Sequence, residues 1–318
     1  MSMEIAKKEI KDAFKNKLFL IILGMLMVLT VVSIILGSYQ VRLTLDNYNN
    51  SIDFLKSLGK TELPAMPSLN PLSASKGFLN YTGMLGALLA IVLGNSAMTK
   101  EHKNGTLRLI LSRGVFRDAF MNGKLLGNLA ILLCVTVLSA VITFITVPTV
   151  GSIQLTMNDS VRLVLFFLMS FLYMAFFMIL SMGIAMMTKN GNRALLITII
   201  IWLVLGFVFP QIGDTMDMDN QLPGGFFAQM GMDRAGEQQL LQKFKFYETL
   251  RNGIEDMSPT KHYERIGFAL LNVKPGFDKN TPMEVIGLKW IDLLGLLAPS
   301  IAFWMLSYLT FLKREDIY

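Results

Sequence analysis

In 318 residues there is a single cysteine, Cys134, and only two histidines, His102 and His262. One thiol inside an apolar run excludes an intrachain disulfide and any metal site built from paired thiolates, so Cys134 reads as a small packing residue. His-Glu-x-x-His is missing, and no carboxylate pair falls inside an apolar run. Zinc or aspartyl chemistry within a membrane therefore lacks its residues. Gly-x-x-x-x-Gly-Lys-Ser/Thr, the loop that cradles nucleotide phosphates, is missing too; Gly123-Lys124 runs on into Leu125 and an apolar segment. The chain itself is expected neither to bind nor to hydrolyse ATP. Internal repeats, Gly/Ser linkers and low-complexity tracts are absent. Charge is scarce as well, at 16% of residues against 53% hydrophobic.

What is present in quantity is apolar sequence. A mean hydropathy of +0.51 places the chain among integral membrane proteins. A span needs about 20 apolar residues, and six windows qualify: 18–37, 78–98, 125–147, 163–187, 194–212 and 290–311. The first follows a basic amino-terminal stretch but has the length of a full span and no small-residue cleavage site, so it reads as a retained span and not a signal peptide. About half of the 29 Lys and Arg fall in residues 1–17, 99–124, 188–193 and after Leu312. Basic loops face the cytoplasm, so both termini are expected there, in a multi-pass protein of the cell membrane. The same rule accounts for the net charge of +6 without nucleic acid.

Several segments carry more than connection. Ile5, Ala6, Ile10, Ala13 and Phe14 share one face opposite lysines, which predicts a helix in the inner membrane interface. Val41, Leu45, Tyr48, Ile52 and Leu55 continue a helical period beyond the first span, until Pro64, Pro67 and Pro71 end it. Residues 213–285 form an external insertion: Leu240, Phe244, Tyr247 and Ile254 mark one helix, and Ser258-Pro259 starts a second that ends near Asn272. Pro210 marks the outer end of the fifth span and Pro299 interrupts the sixth. Lys289 and Asp292 are spaced to pair where the sixth begins.

Ser170, Met174, Met178, Met182 and Met186 recur every four residues along the fourth span. A thioether stripe of this kind packs against a neighbouring helix or lines a path for hydrophobic cargo. Met216, Met218, Met230 and Met232 raise soft-metal binding, but 22 methionines across the chain are a general enrichment and no metal site is assigned.

The 26 residues between the second and third spans far exceed what a turn needs. Leu107, Ile110 and Leu111 share a helical face, and Glu101, Arg108, Arg113 and Arg117 surround it. Such a helix fills a groove on a soluble partner or lies on anionic lipid.

The run Glu101, Gly105-Thr106-Leu107, Leu111-Ser112, Arg117 and Gly123-Lys124 resembles the cytoplasmic loop of type-2 ATP-binding cassette (ABC) exporter permeases. Gly114 and Phe116 stand where that family usually has Pro and Ser. The tail Phe311-Leu312-Lys313-Arg314-Glu315-Asp316-Ile317 is similar to the family's ending. Ser258-Pro259 with Tyr263 resembles a segment in relatives of the permease of nitrous oxide reductase maturation. The resemblance implies an all-α membrane domain over residues 1–318, with the external insertion 213–285 and a coupling helix between spans two and three. It implies ATPase contacts by Glu101, Gly105, Thr106, Leu107, Arg108, Ile110, Leu111, Ser112 and Arg117. It further implies two separate ABC ATPase subunits that carry ATP and Mg, a second permease subunit as homodimer, and export or mechanical work. An external partner on residues 213–285 is a further expectation. A membrane channel or the structural anchor of a signalling complex is the alternative; a channel would show a polar pore-lining series, and none of the six spans has one.

Overall fold

The computed structural model describes residues 2–58, 60, 64–65, 69–103, 116–188, 190–217, 225–273 and 276–313. Among these the chain is helical throughout, with no strand. A short helix α1 (Ser2–Ala13) precedes α2 (Lys17–Ser57). The second apolar run is built from a 3-10 turn (Pro71–Ser75), α3 (Lys76–Tyr81), a π turn (Thr82–Gly86) and α4 (Ala87–Lys103). Then come α5 (Arg117–Gly151), α6 (Met157–Met187) and α7 (Gly191–Leu203). A second π turn (Val204–Val208) joins α7 to α8 (Phe209–Met216). Five further helices follow: α9 (Phe226–Gln229), α10 (Arg234–Lys243), α11 (Lys245–Glu255), α12 (Pro259–Leu270) and α13 (Pro282–Leu288). The last is α14 (Trp290–Lys313). Among the described residues, six helical stretches are long and apolar enough to cross a membrane.

The 41 residues of α2 make a rod of about 60 Å, roughly twice the hydrocarbon thickness of a bilayer. The apolar period beyond residue 37 thus continues the same helix. Asn16 starts it, its Oδ1 accepting from Leu18 N at 3.1 Å and Phe19 N at 3.3 Å.

At the centre stands α6, whose apolar window is 72% buried, against 17% for the Gly191–Met216 and Trp290–Phe311 spans. A capping box between Thr156 and Asp159 fixes its start. Its main partner is α4, and the approach is close because Gly94 faces the α6 backbone. A Cβ at Gly94 would strike the Met178 carbonyl oxygen and come within 3.1 Å of Ser181 Cβ. Small residues at such contacts let membrane helices meet backbone to backbone. Gly94→Ala is expected to cost about 1–3 kcal/mol through overpacking, measured as a lowered unfolding midpoint in detergent; an unchanged midpoint would mean that this contact is loose.

Two sequence expectations change here. The helix of the fifth span does not stop at Pro210 but runs on to Met216. Proline has no N–H for the carbonyl four residues back and its ring clashes there, and the π turn Val204–Val208 absorbs both effects. The helix expected through Leu240, Phe244, Tyr247 and Ile254 is two, broken at Phe244, which adopts φ −105° and ψ 26°.

The two ends of the bundle differ. One, here the loop end, carries α1, the end of α4, the start of α5, the end of α6, the start of α7 and the end of α14. The other, the far end, carries the α2 extension and α9–α13.

Candidate functional site

At the loop end, α1 lies against α5. Gly123 and Gly127 sit one turn apart on α5, and a Cβ on either would meet α1: Ser2 O at 2.7 Å from the first, Ala6 O at 2.8 Å from the second. Between them Lys124 is 1% exposed, and its ammonium reaches Glu9 Oε1 at 2.7 Å. It also donates to the Ala97 carbonyl of α4 and lies 5.0 Å from the centre of the Phe120 ring. One buried cation therefore joins α1, α4 and α5, and the buried Glu9 carboxylate balances its charge.

The same helices are tied at their rims. Asn16 Nδ2 donates to Ser96 Oγ at 2.7 Å, and Lys100 pairs with Asp12 at 2.9 Å. A cavity of about 270 Å³ lies between these two contacts, with Glu9, Lys15 and Asn128 on its walls. On the other side Arg117 Nη1 donates to the Phe311 carbonyl at 3.4 Å, and the Phe120 and Phe311 rings stack at 6.0 Å. The stretch 104–115 lies outside the described residues. Its two ends, α4 and α5, are thus fastened to α1 and to the close of α14.

A second polar joint lies toward the far end. Here α12 is built into the bundle, with Ser258, Tyr263, Ile266 and Leu270 all at 0% exposure. Ser258 caps it, accepting from Lys261 N at 3.2 Å while its hydroxyl donates to the Leu205 carbonyl at 2.5 Å. Tyr263 stacks on Tyr173 at 4.6 Å between ring centres, and its hydroxyl shares a hydrogen bond of 2.8 Å with Ser170. Burial pushes the Tyr263 phenol far above its usual range, so it stays neutral. Tyr173 in turn donates to the Gly83 carbonyl at 2.7 Å and bonds Thr260 at 3.1 Å. Gly83 and Leu205 belong to the two π turns. A π turn leaves carbonyls without their ordinary helical partners and is frequent at functional sites; here both turns are bonded into one network through α12 and α6.

The family model of ABC-2 family transporter proteins matches residues 3–316. The chain belongs to this family. No curated protein matches it. The family and the six apolar helices together make it a multi-pass membrane protein and a permease subunit of an ABC transporter, which works with an ABC ATPase partner.

Of the coupling residues expected in this permease, Gly105, Thr106, Leu107, Arg108, Ile110, Leu111 and Ser112 lie outside the described residues. Glu101 falls in the last turn of α4, and Arg117 begins α5, where it holds Phe311. The stripe is buried in this protomer: Ser170 and Met178 are 0% exposed, Met174 1%, Met182 0% and Met186 5%. Met174 lies against Gly86 of the first π turn, where a Cβ would be 3.1 Å from its sulfur. Lys289 and Asp292 do pair, at 3.5 Å, but Asp292 also binds His262 and Arg265. Sequence reasoning missed Glu9, Arg162 and the role of Lys124, because each acts on residues about 100 positions away. The usable signal was a lysine directly beside glycine at the head of an apolar run, and an arginine one residue before another.

Proposed function

We propose that this permease converts nucleotide-driven motion of a cytoplasmic ABC ATPase into movement of its spans through residues 101–117. The pinning of both ends of that segment carries the reading. Force applied between Lys103 and Arg117 reaches α1 through Lys124 and Glu9, α4 through Ala97, and the end of α14 through Phe311. The basic loop end faces the cytoplasm, with both termini there, and the membrane is the cell membrane. Two ATPase subunits carry ATP and Mg, and two copies of this chain form the transmembrane pathway for export or for mechanical work on an external partner at residues 213–285. Packed helices respond to such force by switching between discrete arrangements, and the two π turns tied to α12 are where the spans would bend. The resemblance of Ser258-Pro259 and Tyr263 favours a complex like that of nitrous oxide reductase maturation.

The test is affinity purification from the native membrane in mild detergent, with wild type and with Glu101→Ala plus Leu107→Ala. Wild type is expected to bring down an ATPase subunit and ATP hydrolysis, and the double variant to lose both while folding normally. A wild type that captures no ATPase overturns the coupling reading and leaves the loop as a lipid-surface anchor.

A further inference from the structure

The contacts of His262 fit only one state of its ring. Its Nδ1 lies 2.9 Å from Asp292 Oδ1 on α14, and its Nε2 lies 2.9 Å from the Asp256 carbonyl oxygen just after α11. A carbonyl oxygen and an ionised carboxylate only accept hydrogen bonds, and a neutral imidazole has a single N–H. A neutral ring would satisfy one contact and set lone pair against lone pair in the other. The imidazolium satisfies both.

The surrounding charges agree. From α14 come Asp292 and Lys289, 3.5 Å apart; from α12 itself comes Arg265, 3.5 Å from the same carboxylate. From α11 and its end come Glu255 and Asp256, held by Arg265 at 2.6 and 2.5 Å. Lys261 pairs with Asp214 at 2.6 Å, with Glu264 at 3.8 Å and with Glu255 at 4.0 Å, so it borders the same group of charges. Against the carboxylates Asp292, Glu255, Asp256, Asp214 and Glu264 stand the fixed cations Arg265, Lys289 and Lys261, and a protonated His262 adds a further positive charge beside Asp292. Gly295 makes room for it: a Cβ there would strike the imidazole ring, so the ring rests on the α14 backbone.

We propose that His262 is a proton-binding site on the far side of the membrane, whose occupation latches α12 to α14 and whose emptying frees α12. Loss of the proton leaves one of the two hydrogen bonds in place and turns the contact that has lost its proton repulsive. Because α12 is bonded to one π turn through Ser258 and to the other through Thr260 and Tyr173, the release reaches the spans. The outside placement and the effect on turnover rest on the coupling reading above; the latch does not. Acid outside would hold the described arrangement and slow the ATPase cycle.

With only two histidines, the ring can be watched directly. Nitrogen-15 histidine NMR on the His102→Asn variant in detergent isolates His262, which is expected to show an imidazolium carrying protons on both nitrogens in the described arrangement and to lose one of them as the pH is raised. The sign follows from the geometry: a group that holds its proton in the folded state stabilises at low pH, and that stability fades as pH rises through its titration. The unfolding midpoint should therefore fall over the same range as the ring titrates, relative to His262→Gln and to Asp292→Asn, both of which should be flat there. A ring neutral throughout, or an equal pH slope in both variants, overturns the latch. These two readouts need no ATPase, so they separate failure of the latch from failure of the coupling reading. If the latch is present and reconstituted ATPase activity is equally fast with the far side held below and above the pH of that titration, its regulatory role is overturned.

Discussion

Lys124→Met is expected to destabilise the permease by about 3–5 kcal/mol, the usual result of removing one partner from a buried ion pair. The substitution keeps the length of the stem, so the loss comes from the charge. Glu9, 6% exposed, would keep a buried carboxylate without its cation, and the Ala97 carbonyl would lose a donor. Replacing both partners, as Lys124→Met with Glu9→Leu, should recover most of that stability, since a well-packed apolar pair is often as stable as the ion pair it replaces. The two variants then divide structure from coupling. If the double variant folds like wild type and its ATPase activity no longer responds to the permease, the ion pair transmits force; if activity is normal, packing of α1 against Gly123 and Gly127 is sufficient. Thermal unfolding in detergent measures the first half of the prediction. A single variant as stable as wild type would show that Lys124 is not desolvated.

Hydropathy and helical period made the spans legible, because both are local and repeat many times along a helix. The same holds for the α2 extension, written in the 4-3-4-3 spacing from Val41 to Leu55, and for the start of α12, written in Ser258-Pro259 and fixed by the Ser258 cap. What stayed illegible depends on which helix meets which. Nothing near Lys124 in the sequence points to Glu9, 115 residues away, and a lysine beside a span reads by default as an orienting charge. The partnership of His262 with Asp292, 30 residues on and one helix across, was hidden for the same reason. The break at Phe244 has no glycine or proline to announce it. The placement of α12 among the spans was hidden by its polar residues: Ser258, Thr260, His262 and Tyr263 look like an external surface, and each is bonded to a partner within the bundle.

The far end depends on one further buried cation. Arg162 is 5% exposed in the second turn of α6, and the groups it meets are carbonyls: Phe277 and Asn280 at 2.7 Å from Nη2, and Ala269 at 3.5 Å from Nη1. Ala269 lies in the last turn of α12, where carbonyls lack helical partners and the helix dipole favours a cation. The guanidinium fork therefore caps α12 and fastens the turn before α13 to α6 in one step. Arg162→Leu fills similar space without donors and is expected to cost about 3 kcal/mol or more, since hydrogen bonds from charged donors are worth roughly 1.5–3 kcal/mol each. Arg162→Lys should recover only part of it, because an ammonium lacks the planar fork that reaches separate carbonyls together. Hydrogen exchange locates the damage: amides of 266–273 and 276–285 should lose protection in Arg162→Leu while α4 and α5 keep theirs. Equal protection in both regions, with an unchanged unfolding midpoint, would show that the Arg162 fork does not hold α12, and the path from the π turns to α12 would then run through the hydroxyls of Ser258 and Thr260, the latter by way of Tyr173.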